Sequence, residues 1–296
     1  MSSKYFSRRE FIKTSALAAA SSMVISSNSF LFGMQSTKTK VVLIRNEKVL
    51  DKNGKINIEI LETMLDESVK LIFDTKYAST AWSKIIKPTD VVGIKTNVWN
   101  YLSTPTELEN IIKERVIAAG VKEDNVSIDD RGVLNNPVFK KATALINSRP
   151  MRTHYWSGVG SLLKNYIMFA EKPSDYHDDS CADLAAIWKL PNVKDKTRLN
   201  ILVMLTPLFH SVGAHGYSPE YVWQYKGLIV STDPVAADSI GLKIIEAKRR
   251  EFFKEDKPLN PPAKHIALAD TRHHLGTADI KKIDLIMVGW KEKILI

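Results

Sequence analysis

The sequence predicts a layered α/β domain with a central, largely parallel or mixed β-sheet flanked by helices. Short apolar runs, such as those at 41–45, 91–95 and 126–129, alternate with longer segments whose apolar residues recur at helical spacing. This alternation of strands and helices is typical of a sheet in which many neighbouring strands run parallel. Polar residues follow several of the strands, and ligands bind at that edge of an open α/β sheet.

The first half of the chain is predicted to contain alternating strands and helices. The helix at 57–75 is amphipathic, because its apolar residues return to one helical face. The helix at 106–119 begins with Glu107 and Glu109, which the helix dipole favours, and ends at Gly120. In chain order the elements are a strand at 41–45, a helix at 57–75, a strand at 91–95, a helix at 106–119, a strand at 126–129 and a helix at 137–145.

The second half continues this pattern without a sharp boundary, so residues 38–296 are predicted to form a single domain. The segment 206–226 is loop-like, and the segment 254–262 is predicted to be a surface connection because it is rich in proline and charge. The remaining elements are a strand that begins at 145, strands at 200–205, 227–231 and 285–288, and a long helix at 234–251.

The N-terminus has the pattern of a twin-arginine export signal. Arg8 and Arg9 precede an uncharged, serine-diluted apolar run at 14–32. Residues 1–36 are therefore interpreted as a cleaved signal peptide, with the twin-arginine (Tat) translocase as partner during export and a periplasmic or otherwise exported product. An ordinary amphipathic or disordered N-terminus and an uncleaved anchor are the alternatives. The run is too rich in serine for a convincing membrane span, so no stable span is expected after cleavage.

Charge and cysteine content narrow the possible functions. The chain has 42 basic and 33 acidic residues, but no basic block interleaved with aromatic residues, so nucleic acid is not expected as a partner. The modest positive excess favours a small anionic ligand. Cys181 is the single cysteine, which excludes an internal disulfide and an intrinsic four-cysteine iron–sulfur cluster. Its apolar neighbours predict a buried, inert thiol next to a helix, with a reactive thiol as the alternative.

Two polar segments follow predicted strands and carry positive charge. In the first, Lys95 ends the strand at 91–95 and Asn97 follows it. A lysine at such a position either extends to water or faces a pocket. In the second, Gly158 and Gly160 open a predicted helix, whose free N–H groups can hold a phosphate or carboxylate. Arginine binds such an anion through two parallel hydrogen bonds, and lysine binds it as a point charge. The candidate residues of the second segment are Arg152, His154, Lys164 and Asn165.

Two aspartates and several histidines complete the candidates. Asp233 precedes Pro234 and is either a helix N-cap or a ligand contact. Asp238 lies beyond the first helical turn, so burial there would require a cation as partner. Imidazoles and carboxylates can also bind a divalent metal ion, although no pair has the spacing of a His-Glu-x-x-His site. The histidines considered for a metal, or as solvated loop residues, are His177, His210, His215, His273 and His274.

Taken together, these motifs resemble the domain of unknown function 362 family. The order and spacing of the short motifs carry the resemblance, and it implies a family whose activity is unsettled and which includes exported members. Some relatives have cysteine-rich iron–sulfur modules, which this chain lacks. Arg152 stands where the family usually has lysine. Arginine retains the positive charge but disfavours a proton-accepting role at this position. The matching segments are 91–97, 109–120, 126–130, 146–154, 163–165, 227–238 and 274–279.

Three classes of function follow from these candidates. In an enzyme acting on a small anionic ligand, His154 would transfer a proton, and Asp238 or Asp233 would orient it or hold a metal. In a binding protein, the same pocket would capture an anion, metal or cofactor without turnover, or serve the maturation of an envelope redox enzyme. The predicted ligand-binding residues are Lys95, Asn97, Arg152, Lys164, Asn165 and Asp233. A docking scaffold would instead present an aromatic face of Trp82, Trp99, Trp156, Trp223 and Tyr221.

Overall fold

The computed structural model of the chain describes residues 38–211 and 216–296. The predicted signal at 1–36 and the candidate His215 lie outside the described residues, and their roles stay predictions. Within the described residues the chain forms an eight-stranded sheet. Its strands are β1 Thr39–Arg45, β2 Val92–Lys95, β3 Val126–Asp129, β4 Ala144–His154, β5 Gly158–Gly160, β6 Thr197–Leu208, β7 Gly227–Ser231 and β8 Ile283–Gly289.

The helices lie on both faces of this sheet. They are α1 Ile58–Phe73, α2 Ala78–Ile85, α3 Thr106–Ala118, α4 Pro137–Lys141, α5 Leu162–Asn165, α6 Pro234–Phe253 and α7 Lys264–Thr271. A further helical turn, Asp178–Cys181, contains left-handed backbone at Asp179 and Ser180. None of the helices in the described ranges combines the length and the apolar character that a membrane crossing requires.

The sheet is mixed, with the order β3-β2-β4-β6-β7-β1-β8 and with β5 paired to β4. The pairs β3/β2, β2/β4, β4/β6 and β1/β8 are parallel. β7 runs antiparallel to both β6 and β1. The layered α/β architecture predicted from the sequence is therefore confirmed, in its mixed form.

Two hydrophobic layers sandwich the sheet. Successive residues of β1 show this directly, since Val41 packs into one layer and Val42 into the other. The layer under α1 and α3 includes Leu61 and Ile112. The opposite layer, under α5 and α6, includes Leu162 and Ile240. Residues Thr39–Ile296 form one compact unit around these two layers.

Three predicted elements differ from the structure. The helix predicted at 137–145 ends at Lys141, because residues from Ala144 onward pair with β2 and begin β4. Gly158 and Gly160 do not open a helix: they form β5, which folds back on the end of β4. β6 continues to Leu208, inside the segment predicted as loop, because it pairs along β4 as far as that residue.

Candidate functional site

A cavity of about 290 Å³ lies at the carboxyl ends of β2, β3 and β4. Asn97 follows β2, Asp130 follows β3, and His154 ends β4. Parallel strands bring these ends to one edge of the sheet, where ligands bind in open α/β folds. The residues that line the cavity are Asn97, Trp99, Asp130, Arg131, Arg149, Arg152, His154, Trp156, Lys164, Asn165, Ile167, Met168, Pro173 and His177.

The structure brings five of the eight predicted site residues into this wall: Asn97, Arg152, His154, Lys164 and Asn165. These residues are separated by up to 68 positions in the sequence and meet because β2, β4 and α5 adjoin. The other three, Lys95, Asp233 and Asp238, lie outside the wall, and each has a different set of partners.

Arg152 is held rigidly near the end of β4. Its Nη1 donates a hydrogen bond to Oδ1 of Asn97 at 2.8 Å, and its guanidinium lies 4.3 Å from the ring centroid of Trp99. Burial, followed by repulsion from Arg149, lowers the pKa of Arg152 well below its usual value. An arginine side chain nevertheless stays protonated in proteins, so Arg152 contributes a fixed positive charge to the cavity.

Lys164 is a buried lysine with one polar side-chain partner among the described residues. Its Nζ lies 3.4 Å from Sγ of Cys181, and only 3% of Lys164 is exposed. Burial lowers the pKa of Lys164 to about 8, against a partial opposing effect of Cys181. A lysine with such a pKa is mostly charged at neutral pH but gives up its proton more readily than an exposed lysine.

His154 is a neutral imidazole with a defined tautomer. The backbone N–H of Trp156 donates to its Nδ1 at 3.3 Å, so the ring hydrogen is on Nε2. Burial, followed by repulsion from Arg149 and Lys164, lowers the pKa of His154 well below its usual value. At neutral pH, His154 is therefore a hydrogen-bond donor through Nε2.

Lys95 lies behind the cavity wall. It is fully buried, forms an ion pair with Asp130 and donates to the carbonyl oxygen of Thr96 at 2.7 Å. Burial lowers the pKa of Lys95 to about 8. Burial acts to raise the pKa of Asp130, but attraction to Lys95 outweighs it and the net pKa is lowered. Asp130 thus remains ionised, and its charge is already matched by Lys95.

A chain of buried asparagines holds α5 against the sheet. Nδ2 of Asn165 donates to Oδ1 of Asn147 at 2.8 Å, and Nδ2 of Asn147 donates to Oδ1 of Asn200 at 3.1 Å. Asn200 in turn donates to the carbonyl oxygen of Thr232 at 3.2 Å. Each amide is satisfied within the chain, as buried polar groups require. The network fixes the helix that carries Lys164.

Asp238 caps the start of α5 and does not line the cavity. Its carboxylate accepts hydrogen bonds from Oγ of Ser161 at 2.6 Å and from the backbone N–H groups of Leu162 at 3.0 Å and Leu163 at 2.9 Å. Burial raises the pKa of Asp238 to about 6, even though these hydrogen bonds oppose that shift. The structure thus places the Asp238 carboxylate against the residues that begin α5, where it positions this helix, and the catalytic role predicted for Asp238 stays a prediction.

Asp233 is a helix N-cap, which is one of the two roles that the sequence predicted for it. Its Oδ1 accepts from the N–H groups of Val235 at 2.8 Å and Ala236 at 3.0 Å, which makes it the N-cap of α6. Its Oδ2 accepts from the N–H of Thr277 at 2.9 Å, which ties α6 to the segment before β8. Both carboxylate oxygens are used by the backbone outside the cavity wall.

Three charged residues of the wall were not among the candidates from the sequence: Asp130, Arg131 and Arg149, of which Arg149 is the most deeply buried. It lies on β4, is 3% exposed, and its buried Nε has no hydrogen-bond partner among the described residues. Burial lowers its pKa to about 10. A Cβ atom at Gly160 would lie 2.7 Å from Nη2 of Arg149, so glycine leaves the space that the guanidinium occupies. A charge inside an apolar strand near its carboxyl end was the available signal.

The histidines do not assemble a metal centre in the described ranges. His177 stacks on Trp156 in the cavity wall, His210 contacts Nη1 of Arg249 at 3.0 Å, and His273 contacts Asp183 at 2.8 Å. Within residues 38–211 and 216–296, no group of three or more His, Cys, Asp or Glu side chains is arranged to hold a metal ion. His265, buried on α7, has two ring nitrogens without hydrogen-bond partners in the same ranges.

The predicted aromatic docking residues are dispersed. Trp82 is buried in the core and donates to Asp66 at 3.0 Å. Trp223 and Tyr221 both pack on Phe209. Trp99 and Trp156 line the cavity. These aromatic residues therefore do not form one exposed face.

The cavity wall is strongly positive. It contains the cations Arg131, Arg149, Arg152 and Lys164, and one carboxylate, Asp130, which is paired with Lys95. Low-dielectric walls lined with one sign of charge concentrate the field and attract ions of the opposite sign. The arrangement can hold an anion and has a lysine whose pKa suits proton exchange near neutral pH.

Comparison with known families supports the resemblance found in the sequence. Residues 104–243 match the model of a family described as Domain of unknown function (DUF362). This range is shorter than the resemblance, and it contains Arg149, Arg152, His154, Lys164 and Asn165. No curated protein and no solved structure matches the chain significantly.

Proposed function

We propose that this chain, which matches a family of unknown function, is an enzyme that acts on a small anionic ligand bound in the cavity. The observation that carries the proposal is the charge of the wall: it contains four cationic side chains, of which Arg149, Arg152 and Lys164 are buried, and one carboxylate, which is already paired with Lys95. Buried positive charges without counter-charges are costly, and a bound anion would supply the missing partner.

Two arginines and a lysine would hold the anion. The Arg152 guanidinium is fixed by Asn97 and Trp99, so little entropy is lost when it binds a ligand. Arg149 lies beside Gly160, and its Nε has no hydrogen-bond partner within the part of the chain that the structure describes. Lys164 adds a charge on α5. Arginine suits the planar, paired oxygens of carboxylate or phosphate, and this favours such groups as the anionic end of the ligand.

Lys164 is the group we assign to proton transfer, in place of His154. The pKa of Lys164, lowered to about 8 by burial, lies near the pH at which general acid–base catalysts work best. His154 remains neutral, and its Nδ1 is occupied by the N–H of Trp156. His154 would instead donate a hydrogen bond through Nε2 to an oxygen of the ligand.

A binding protein without turnover is the second candidate. One observation favours it: Nδ1 of His154 accepts from the backbone N–H of Trp156, so among the described residues no carboxylate orients this nitrogen as in an acid–base dyad. A cavity with fixed cations and no such dyad fits capture of an anion equally well. Binding and turnover must therefore be measured separately.

Binding is tested by isothermal titration calorimetry with inorganic phosphate at low ionic strength. Wild-type protein is expected to bind, and Lys164→Ala is expected to bind at least about tenfold more weakly, because a charge-assisted contact is lost. Lys194→Ala, which removes an exposed lysine outside the cavity wall, is the matched control and should bind as wild type does. Equal affinities of Lys164→Ala and wild type for phosphate would contradict the proposal that the cavity binds the anion.

Turnover is tested by incubating the protein with a panel of phosphorylated and carboxylated metabolites and following product formation by mass spectrometry. The enzyme proposal expects a product with wild type and with Lys194→Ala, and none with Lys164→Ala. A ligand that binds wild type in the cavity and is returned unchanged would establish the binding protein instead. Melting temperatures of the unliganded variants, expected within a few degrees of each other, exclude misfolding as the cause.

A further inference from the structure

Aromatic residues stand beside the cations of the cavity. Trp99 and Trp156 both belong to the wall that contains Arg152 and Lys164. Trp99 is half-buried, whereas 42% of Trp156 is exposed to solvent. A tryptophan that lines a cavity while remaining open to water offers a large apolar surface that the fold itself does not bury.

The Trp156 side of the cavity presents a flat aromatic pair. The ring of Trp156 stacks on His177, with centroids 4.3 Å apart and planes inclined by 15°. Burial, followed by repulsion from Lys164, lowers the pKa of His177, so its ring is neutral at ordinary pH. The two rings therefore form a neutral π-surface next to a positively charged pocket.

The Trp99 side continues into a second aromatic group. Trp99 meets Tyr101 edge-on at 5.0 Å and Tyr217 at 5.9 Å, and the two tyrosines stack at 4.4 Å. The Arg152 guanidinium covers Trp99 from within the cavity. Since 51% of Tyr101 is exposed, the array runs from a buried cation to an open aromatic surface.

Exposed apolar side chains of the described residues concentrate at this edge of the sheet. Of the ten large hydrophobic residues with exposed side chains in those ranges, four lie in the short segments that follow β2 and β4. These four are Val98, Tyr101, Tyr155 and Trp156. Scattered single residues need no explanation, but exposed apolar side chains that follow two strands ending at a charged cavity indicate a binding surface for a ligand with an apolar part.

We infer that the ligand is a small anion that carries a flat, unsaturated ring. Its anionic group lies among Arg149, Arg152 and Lys164, and its ring lies against Trp156 and the Trp99 group. The inference rests on the proposed anion site and adds the class of molecule that the site selects. The cavity volume of about 290 Å³ is near the lower end for ligand pockets, which favours one ring over a larger molecule.

The inference is tested by comparing three probes with one anionic group in common: inorganic phosphate, cyclohexyl phosphate and phenyl phosphate. Calorimetry is expected to give an affinity for phenyl phosphate roughly tenfold above that for inorganic phosphate, because stacking on aromatic side chains adds to anion binding. Cyclohexyl phosphate, which has similar bulk but no π-system, should fall between the two. Equal affinities for phenyl phosphate and inorganic phosphate would overturn the inference and leave the anion site intact.

Substitutions at Trp156 separate stacking from folding. In Trp156→Ala, the advantage of phenyl phosphate over inorganic phosphate should largely disappear, because the stacking ring is lost while the backbone N–H that orients His154 is unchanged. Trp156→Phe should restore much of that advantage. Tyr77→Ala, which removes an aromatic side chain 60% exposed outside the cavity wall, is the control.

Two results contradict different claims. If Trp156→Ala weakens both phosphates by the same factor, Trp156 shapes the cavity and does not receive the ring, and the inference fails. If wild-type protein binds none of the three probes, the proposed anion site itself fails.

Discussion

Lys164 shows why a buried charge indicates function. Its ammonium is almost fully removed from water and has the Cys181 thiol as its side-chain partner, a weak acceptor compared with a carboxylate. Folding therefore keeps a cation in a place where its solvation is poor, at a cost to stability. A bound anion would offset this cost, which makes Lys164 the residue most sensitive to whether the cavity is occupied.

The pKa of Lys164 predicts how anion binding depends on pH. Sulfate is a suitable probe because its charge is constant near neutral pH. Below about pH 8 the lysine is protonated and binds the anion; as the pH rises through that value the charge is lost. The affinity for sulfate should then fall by up to roughly tenfold per pH unit. Calorimetry between pH 7 and pH 9.5 at fixed ionic strength measures this profile.

Lys164→Arg is the control for this profile, because an arginine keeps its charge throughout the range. Lys95, whose pKa is also lowered to about 8, lies behind the wall, so a dependence that persists in Lys164→Arg would belong to Lys95. Parallel decreases in wild type and Lys164→Arg would contradict the role assigned to Lys164.

Individual residues differ in how much of their role the sequence reveals. Asn97, Arg152 and Lys164 were candidates in the sequence, because each follows a predicted strand or a glycine pair and α/β folds bind ligands at strand ends. Arg149 lies on the same strand as Arg152 in the structure and was missed, because the sequence pattern does not show how deeply a residue of β4 is buried. His177 and Trp156 are brought together by loop packing, which local spacing does not encode.

At the scale of elements, α5 is a single helical turn held in place from outside. Four residues are too few to form a stable helix on their own. Asp238 on α6 binds the start of α5, and Asn147 accepts a hydrogen bond from Asn165 at its end. These contacts determine where Lys164 lies, so a mutation at Asp238 acts on the cavity through α5.

Asp238→Ala is predicted to lower the free energy of unfolding by about 3 kcal/mol, because it leaves the buried N–H groups of Leu162 and Leu163 without an acceptor. Urea denaturation measures the change. Asp256→Ala, which removes a largely exposed carboxylate 4.0 Å from Arg250, should change it by less than about 0.5 kcal/mol. A stable Asp238→Ala variant that has lost turnover would instead favour the catalytic role first expected for this aspartate.

The predictions of secondary structure were wrong where strand pairing in the sheet outweighs the preference of the local sequence. Gly158 and Gly160 are typical of a loop before a helix, yet they pair with His154 and Arg152 as β5. The residues after Lys141 continue an apolar pattern, but those from Ala144 onward pair with β2 and therefore form a strand. The helix α1, whose apolar residues recur with strong helical periodicity, was predicted correctly because its apolar face packs on the sheet.

At the scale of the whole molecule, sheet topology creates the site. β2, β3 and β4 run parallel and end at one edge, so residues distant in sequence meet there. β7 runs antiparallel to both of its neighbours and is followed by α6, the helix that carries Asp238. The fold class was predictable from alternating strands and helices, whereas strand order was not, because periodicity does not specify which strands adjoin.

The central claim is that the cavity at the ends of β2, β3 and β4 binds an anion. A crystal structure determined in the presence of selenate tests it most directly, because selenium gives an anomalous signal that water does not. We predict a peak inside the cavity, with selenate oxygens within hydrogen-bonding distance of Arg152 and Lys164. Selenate bound at other surface sites, with the cavity free of anomalous signal, would contradict the account.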